Sequence, residues 1–112
     1  MEVAATSRYL RIAPRKARLV TDQLKGLGIG EAFSLLAYLP NRSAAMIAKT
    51  IKSAVANAEN NYGLNPESLY VARAFVDDGP RLRRMRAKSR GRAGFYRRRM
   101  CHITVVVDEI EA

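Results

Sequence analysis

Between Arg81 and Arg99 the chain carries ten basic residues and no acidic one: Arg81, Arg83, Arg84, Arg86, Lys88, Arg90, Arg92, Arg97, Arg98 and Arg99. They occupy odd and even positions alike. An extended strand sends alternate residues to opposite faces, so a strand built from this stretch is charged on both. A strand lying on a core keeps one face apolar. This segment therefore belongs to no core and is built to be surrounded by anions. The whole chain has twenty Lys+Arg and ten Asp+Glu. Outside the stretch the count is ten of each, so about one sixth of the sequence carries the entire net charge of +10. Arginine holds its charge, forks onto phosphate and stacks on bases. RNA or DNA is the expected partner.

The flanks limit how the stretch can be displayed. Residues 68–76 and His102–Val107 read as strands, the second dense in β-branched residues. With Gly91 and Gly94 between them, they predict a long hairpin. Centring the reversal near Gly91 makes partners sum to about 182. That places Phe75 opposite Val107, Val76 opposite Val106, Arg83 opposite Arg99, Arg84 opposite Arg98 and Met85 opposite Arg97. Phe95 and Tyr96 can stack on bases or pack across the hairpin. Asp77 and Asp78, before Gly79-Pro80, shape a turn or bulge at its base.

The remainder reads as one small domain. Residues 2–12 alternate loosely as a first strand, with Val3, Ala5, Ser7 and Tyr9 on one side. Pro14 suits the first position of a helix whose apolar face is Ala17, Leu19, Val20 and Leu24. Gly26, Gly28 and Gly30 end it. A short helix follows from about Glu31 to Tyr38, stopped by Pro40. Asn41 caps a third, longer helix with the apolar stripe Ala44, Ile47, Ala48, Ile51, Ala54, Val55 and Ala58. Asn60, Asn61 and Gly63 close it, and Asn65-Pro66 turns the chain. The expected domain is residues 1–112, with a globular part over about 1–80 and 101–112 and an arm over about 81–100.

A second basic cluster is Arg8, Arg11, Arg15, Lys16 and Arg18. Cations at a helix start oppose the macrodipole, and a phosphate bound there offsets that cost. An ordinary solvated face is the competing reading.

Chemistry other than binding has little support. Cys101 and His102 are strand neighbours, so they point to opposite faces and cannot share a proton. Asp77 and Asp78 diverge for the same reason. A single cysteine excludes a multi-cysteine zinc site and an internal disulfide, which favours a reducing, cytoplasmic-type compartment. No catalytic residue, metal or cofactor is expected. No apolar run approaches the roughly 18–20 residues of a membrane span, and the first residues do not read as a secretory signal.

Several motifs resemble the bacterial form of a universal family of large-subunit ribosomal proteins, the "L twenty-two" family. They are Arg11-Ile12-Ala13-Pro14-Arg15-Lys16-Ala17-Arg18-Leu19-Val20, Ser53-Ala54-Val55-Ala56-Asn57-Ala58-Glu59-Asn60-Asn61, Phe75-Val76-Asp77-Asp78-Gly79-Pro80, Gly91-Arg92-Ala93 and His102-Ile103-Thr104-Val105-Val106-Val107. They are co-linear from about Ala5 to Val107. The resemblance implies an α+β fold, with three helices on a small three-stranded antiparallel sheet and a long extended basic hairpin. It implies a monomer within the ribosome, cytoplasmic or organellar, held by large-subunit rRNA and neighbouring large-subunit proteins. The hairpin would line the peptide exit tunnel, with Ser89, Arg90, Gly91 and Arg92 as the tip beside the nascent chain. The family usually has proline where Ala87 stands and Thr-Ser where Met100-Cys101 stand. Two other readings compete: a free nucleic-acid-binding protein inserting a β-ribbon arm, and an RNA-processing enzyme.

Overall fold

The computed structural model describes the backbone of residues 2–87 and 93–109, and the side chains of residues 2–80 and 99–109. Strand β1 (Val3–Leu10) leads into helix α1 (Pro14–Thr21), α2 (Ile29–Tyr38) and α3 (Arg42–Tyr62). A single 3₁₀ turn, Pro66–Ser68, precedes the long strands β2 (Leu69–Ala87) and β3 (Ala93–Glu109). The sheet is antiparallel with β3 in the centre, in the order β1-β3-β2. The fold is the expected α+β arrangement.

The core lies between the sheet and α3. Ile47, Ile51, Ala54 and Ala58 are all fully buried, and they meet Ile103, Val105 and Val107 of the central strand. Alanine at two of these α3 positions removes side-chain bulk where the helix crosses the sheet. Two polar side chains also sit in this layer. The Ser7 and Thr50 hydroxyls lie 2.7 Å apart, and Thr50 donates to the Met46 carbonyl, so Thr50 is buried but satisfied.

Helix α1 contributes Ala17 and Val20, and Leu24 follows in the turn after it. Leu19, expected beside them, instead faces outward at 61% exposure. It lies two residues from Ala17, about 160° away around the helix, outside the arc that Pro14, Ala17, Val20 and Thr21 bury. α2 begins at Ile29, two residues before the expected start, because Gly28 rather than Gly30 occupies its N-cap. Gly26 takes a left-handed φ of +85°, cheap for glycine alone. That turn lets the Gly26 N–H donate to the Val71 carbonyl while the Val71 N–H donates to Leu27. The loop so occupies backbone groups on the outer side of β2.

The hairpin register departs from the sequence reading. Phe75 pairs with Thr104 and Val76 with Ile103, not with Val107 and Val106. Arg83 pairs with Arg97, Arg84 with Tyr96 and Met85 with Phe95. Two irregularities in β2, between Val71 and Arg73 and between Asp78 and Arg81, each insert a residue without a partner in β3. Partner sums therefore climb from 178 to 180 along the ribbon, as from Val71↔Val107 to Ala87↔Ala93. A register counted back from Gly91 alone cannot contain them.

Candidate nucleic-acid interface

Strands β2 and β3 continue as a two-stranded ribbon past the last core residue. The molecule measures 66 × 27 × 16 Å with a radius of gyration of 17.0 Å; a compact chain of this length has about 13 Å. The ribbon leaves the body at the second bulge, as Asp77 and Asp78 with Gly79-Pro80 led us to expect. Gly79 sits where a side chain would crowd β3. A Cβ at this position would stand 3.2 Å from the Met100 carbonyl carbon and oxygen, closer than ordinary van der Waals contact.

Beyond the bulge the backbone pairs Arg81 with Arg99, Leu82 with Arg98, Arg83 with Arg97 and Arg86 with Gly94. Strand alternation puts positions 81, 83, 97 and 99 on one face and 84, 86 and 98 on the other. Basic positions thus occupy both faces of the ribbon. Lys88, Ser89, Arg90, Gly91 and Arg92, the remainder of the expected binding set and its tip, lie outside the described residues.

The second cluster lies beside the ribbon's root. Arg8, Arg11, Arg15 and Lys16 are exposed. Arg18 is exposed too, but its guanidinium is turned onto the chain itself. Nε and Nη2 donate to the Val76 carbonyl at 3.2 and 2.9 Å, and Nη2 also reaches Asp78 at 3.3 Å. Arg18 therefore ties α1 to the base of the arm.

β1 breaks its pairing after Ser7 and resumes with Leu10 opposite Cys101. At the break Tyr9 adopts φ +58°, an uncommon conformation for a bulky residue. Its N–H donates to His102 Nδ1 at 3.0 Å, and its ring stands edge-on to the imidazole at 4.9 Å. The irregularity turns Tyr9 outward, where the expected alternation placed it beside Val3 and Ala5.

The structure adds residues that the sequence reading missed. A cleft of about 680 Å³ brings Arg11 and Lys16 together with Arg99, Asn41, Arg42 and Ser43. The signal for Arg42 was legible: it is a cation in the first turn of a helix, the anomaly already noted at Arg15 and Lys16. A smaller cleft joins Arg15 and Arg18 to Asp78 and Arg99.

Cys101 is fully buried, and burial pushes its thiol pKa up; the Arg18 charge pulls it down and Asp78 raises it further. His102 lies on the opposite face, accepting from Tyr9. The two therefore do not form a nucleophile–base pair. Among the described residues no cluster of three or more His, Cys, Asp or Glu could hold a metal.

Comparison with known proteins agrees with this architecture. The family model "Ribosomal protein L22p/L17e" matches residues 5–108. "Large ribosomal subunit protein uL22" of Pseudothermotoga lettingae is 49% identical over 112 residues, which is 100% of this chain and 81% of that one. Proteins of the same name are similar at 48% identity in Thermoanaerobacter sp. strain X514, over 99% of this chain and 100% of theirs, and in Halothermothrix orenii, over 97% and 96%.

Proposed function

Because the chain belongs to the ribosomal protein L22p/L17e family, we propose that it enters the large ribosomal subunit by binding large-subunit rRNA through its basic arm and the α1 cluster. Its role is structural, not enzymatic, in a bacterial-type cytoplasmic ribosome. The observation that carries the RNA reading is the ribbon itself. It is seven paired residues long on the β2 side from Arg81 to Ala87, roughly 20 Å at about 3.3 Å per residue. Basic positions on both faces fit an arm enclosed by several phosphates, not one laid on a flat surface.

Body and arm then divide the work. The α1 cluster and Arg99 meet rRNA at the root of the arm, which helps assembly by fixing its direction. The arm runs inward, and residues 89–92 line the peptide exit tunnel. Neighbouring large-subunit proteins contact the body. The protein acts as a monomer in the subunit.

Two measurements test this. After a high-salt wash the chain should co-sediment with large subunits; recovery in the free nucleic-acid fraction would favour a β-ribbon protein that works outside the ribosome. A photo-crosslinker at position 90 should capture nascent peptide in stalled ribosomes, while one at Lys49 on α3 should not. Capture of RNA alone at position 90, with peptide filling the tunnel, would remove the tunnel role and leave rRNA binding intact.

A further inference from the structure

Helices α1 and α3 begin at the same cleft. Ala13 and Lys16 come from the start of α1, and Asn41, Arg42 and Ser43 from the start of α3. Neither helix has a side-chain cap, and neither first turn holds an acidic residue. Asn41 sits at the N-cap of α3 yet makes no capping hydrogen bond. The N–H groups of Arg42 and Ser43 find no acceptor among the described residues. Uncapped helix starts attract anions through these free N–H groups and the helix dipole. Arg11, Lys16, Arg42 and Arg99 add four exposed cations, and no acidic residue lines the cleft.

Ser43 supplies an independent pointer to a ligand. It is only 3% exposed, lines the cleft, and its hydroxyl makes no hydrogen bond to a described residue. No sealed side-chain polar atom among the described residues lacks a partner, so this hydroxyl is reached by solvent, at a residue that lines the cleft. A hydroxyl so placed, at a residue that shares the cleft with four cations, can take an anionic oxygen in place of water. The lining also includes apolar side chains. Leu19, the α1 leucine turned away from the core, borders the cleft with Ile12.

We propose that this cleft binds one nucleotide of an unpaired RNA strand. Its phosphodiester sits at the N–H groups of Arg42 and Ser43 and the Ser43 hydroxyl, flanked by the cations. Its sugar and base lie against Leu19 and Ile12. A carboxylate or free phosphate would use the cations and leave the apolar side chains uncovered. A volume of about 680 Å³ exceeds what either fills. The subsite rests on the RNA-binding reading above, and adds to it a contact made by the body that needs neither the arm's tip nor the arm's strands beyond Arg99.

The test is a titration of the full chain, isotopically labelled, with hexauridylate and separately with inorganic phosphate. Hexauridylate should move the amide signals of Arg42 and Ser43 and the methyl signals of Leu19. The exposed double variant Lys16→Gln/Arg42→Gln should lower the slope of log K against log salt by about 0.7, the loss of one phosphate contact on a single strand. Arm signals that move while Arg42, Ser43 and Leu19 stay still would overturn the subsite. So would inorganic phosphate reproducing every shift, because the cleft would then be a site for small anions only. Incorporation of the unmodified chain into large subunits is scored in parallel. Failure to incorporate, with the cleft responding, would sink the ribosomal reading and keep the subsite; incorporation with a silent cleft would sink the subsite alone.

Discussion

The same two strands, β2 and β3, run through both the body and the arm, yet what backs them is opposite. In the body each inward residue of β3, Ile103, Val105 and Val107, is fully buried under α3. The hydrophobic term there is large, about 1.5–3 kcal/mol for each fully buried aliphatic side chain. In the arm the register sets Arg81 opposite Arg99 and Arg83 opposite Arg97. Like charges directly opposite are destabilising, and a two-stranded ribbon alone is marginal. Backbone pairing is thus continuous while its cause changes at the Asp78/Arg81 bulge. On one side the chain supplies its own stabilisation. On the other, the favourable term must come from an outside anion, the role proposed for rRNA.

That contrast can be broken from either side. The largest effect is expected from Ile51→Asp, which puts an unpaired charge into the fully buried layer beneath the sheet. An uncompensated buried charge costs about 3–5 kcal/mol, a large part of the roughly 5–15 kcal/mol that holds a small domain together. The cooperative thermal transition followed by circular dichroism should be lost. A melt within a few degrees of the parent would mean that the α3–sheet layer is not what stabilises the body. Next, replacing Arg83, Arg84, Arg97 and Arg98 with Gln should leave the melt of the body alone. It should flatten the salt dependence of RNA binding by about three in the slope of log K, four contacts at about 0.7 each. An unchanged slope would move the electrostatics from arm to body. A small effect is also expected on the melt from excising residues 82–100 and joining Arg81 to Cys101 through a short glycine-rich turn. We propose that the body folds by itself, so its transition should stay cooperative, with Tm shifted by less than about 5 °C. Non-cooperative melting would make the arm part of the body.

Much of the body was legible because its signals are local. The α3 stripe follows helical period, Pro14 marks the start of α1, and a density of β-branched residues marks β3. The departures arise where tertiary contacts decide. Leu19 has a core-like side chain and lies beside the buried Val20, but the cleft wall, not the core, receives it. Tyr9 continues the alternation of Val3 and Ala5 in sequence, yet a bond from its N–H to His102, 93 residues away, holds it in a left-handed turn. The hairpin register failed for a similar reason. Two bulges add single residues that no composition rule counts, although Asp77-Asp78-Gly79-Pro80 marked one of them. Among candidate site residues, the basic arm was visible as a run. The cleft was not, since Arg11, Arg42 and Arg99 are far apart in sequence and meet only through the packing of α1, α3 and β3.

The unbroken passage of β3 from arm into body has a mechanical consequence. A pull on the arm along its length draws β2 and β3 together, so it does not peel one from the other. The load passes instead to the β1–β3 ladder, where the paired positions run from Val3↔Val107 to Leu10↔Cys101 parallel to the force. Bonds loaded side by side in shear share the tension and yield together, unlike rungs opened one after another. The arm is anchored as a tie rod through the centre of the sheet, and a drag exerted at its far end is borne by the most deeply buried strand of the molecule.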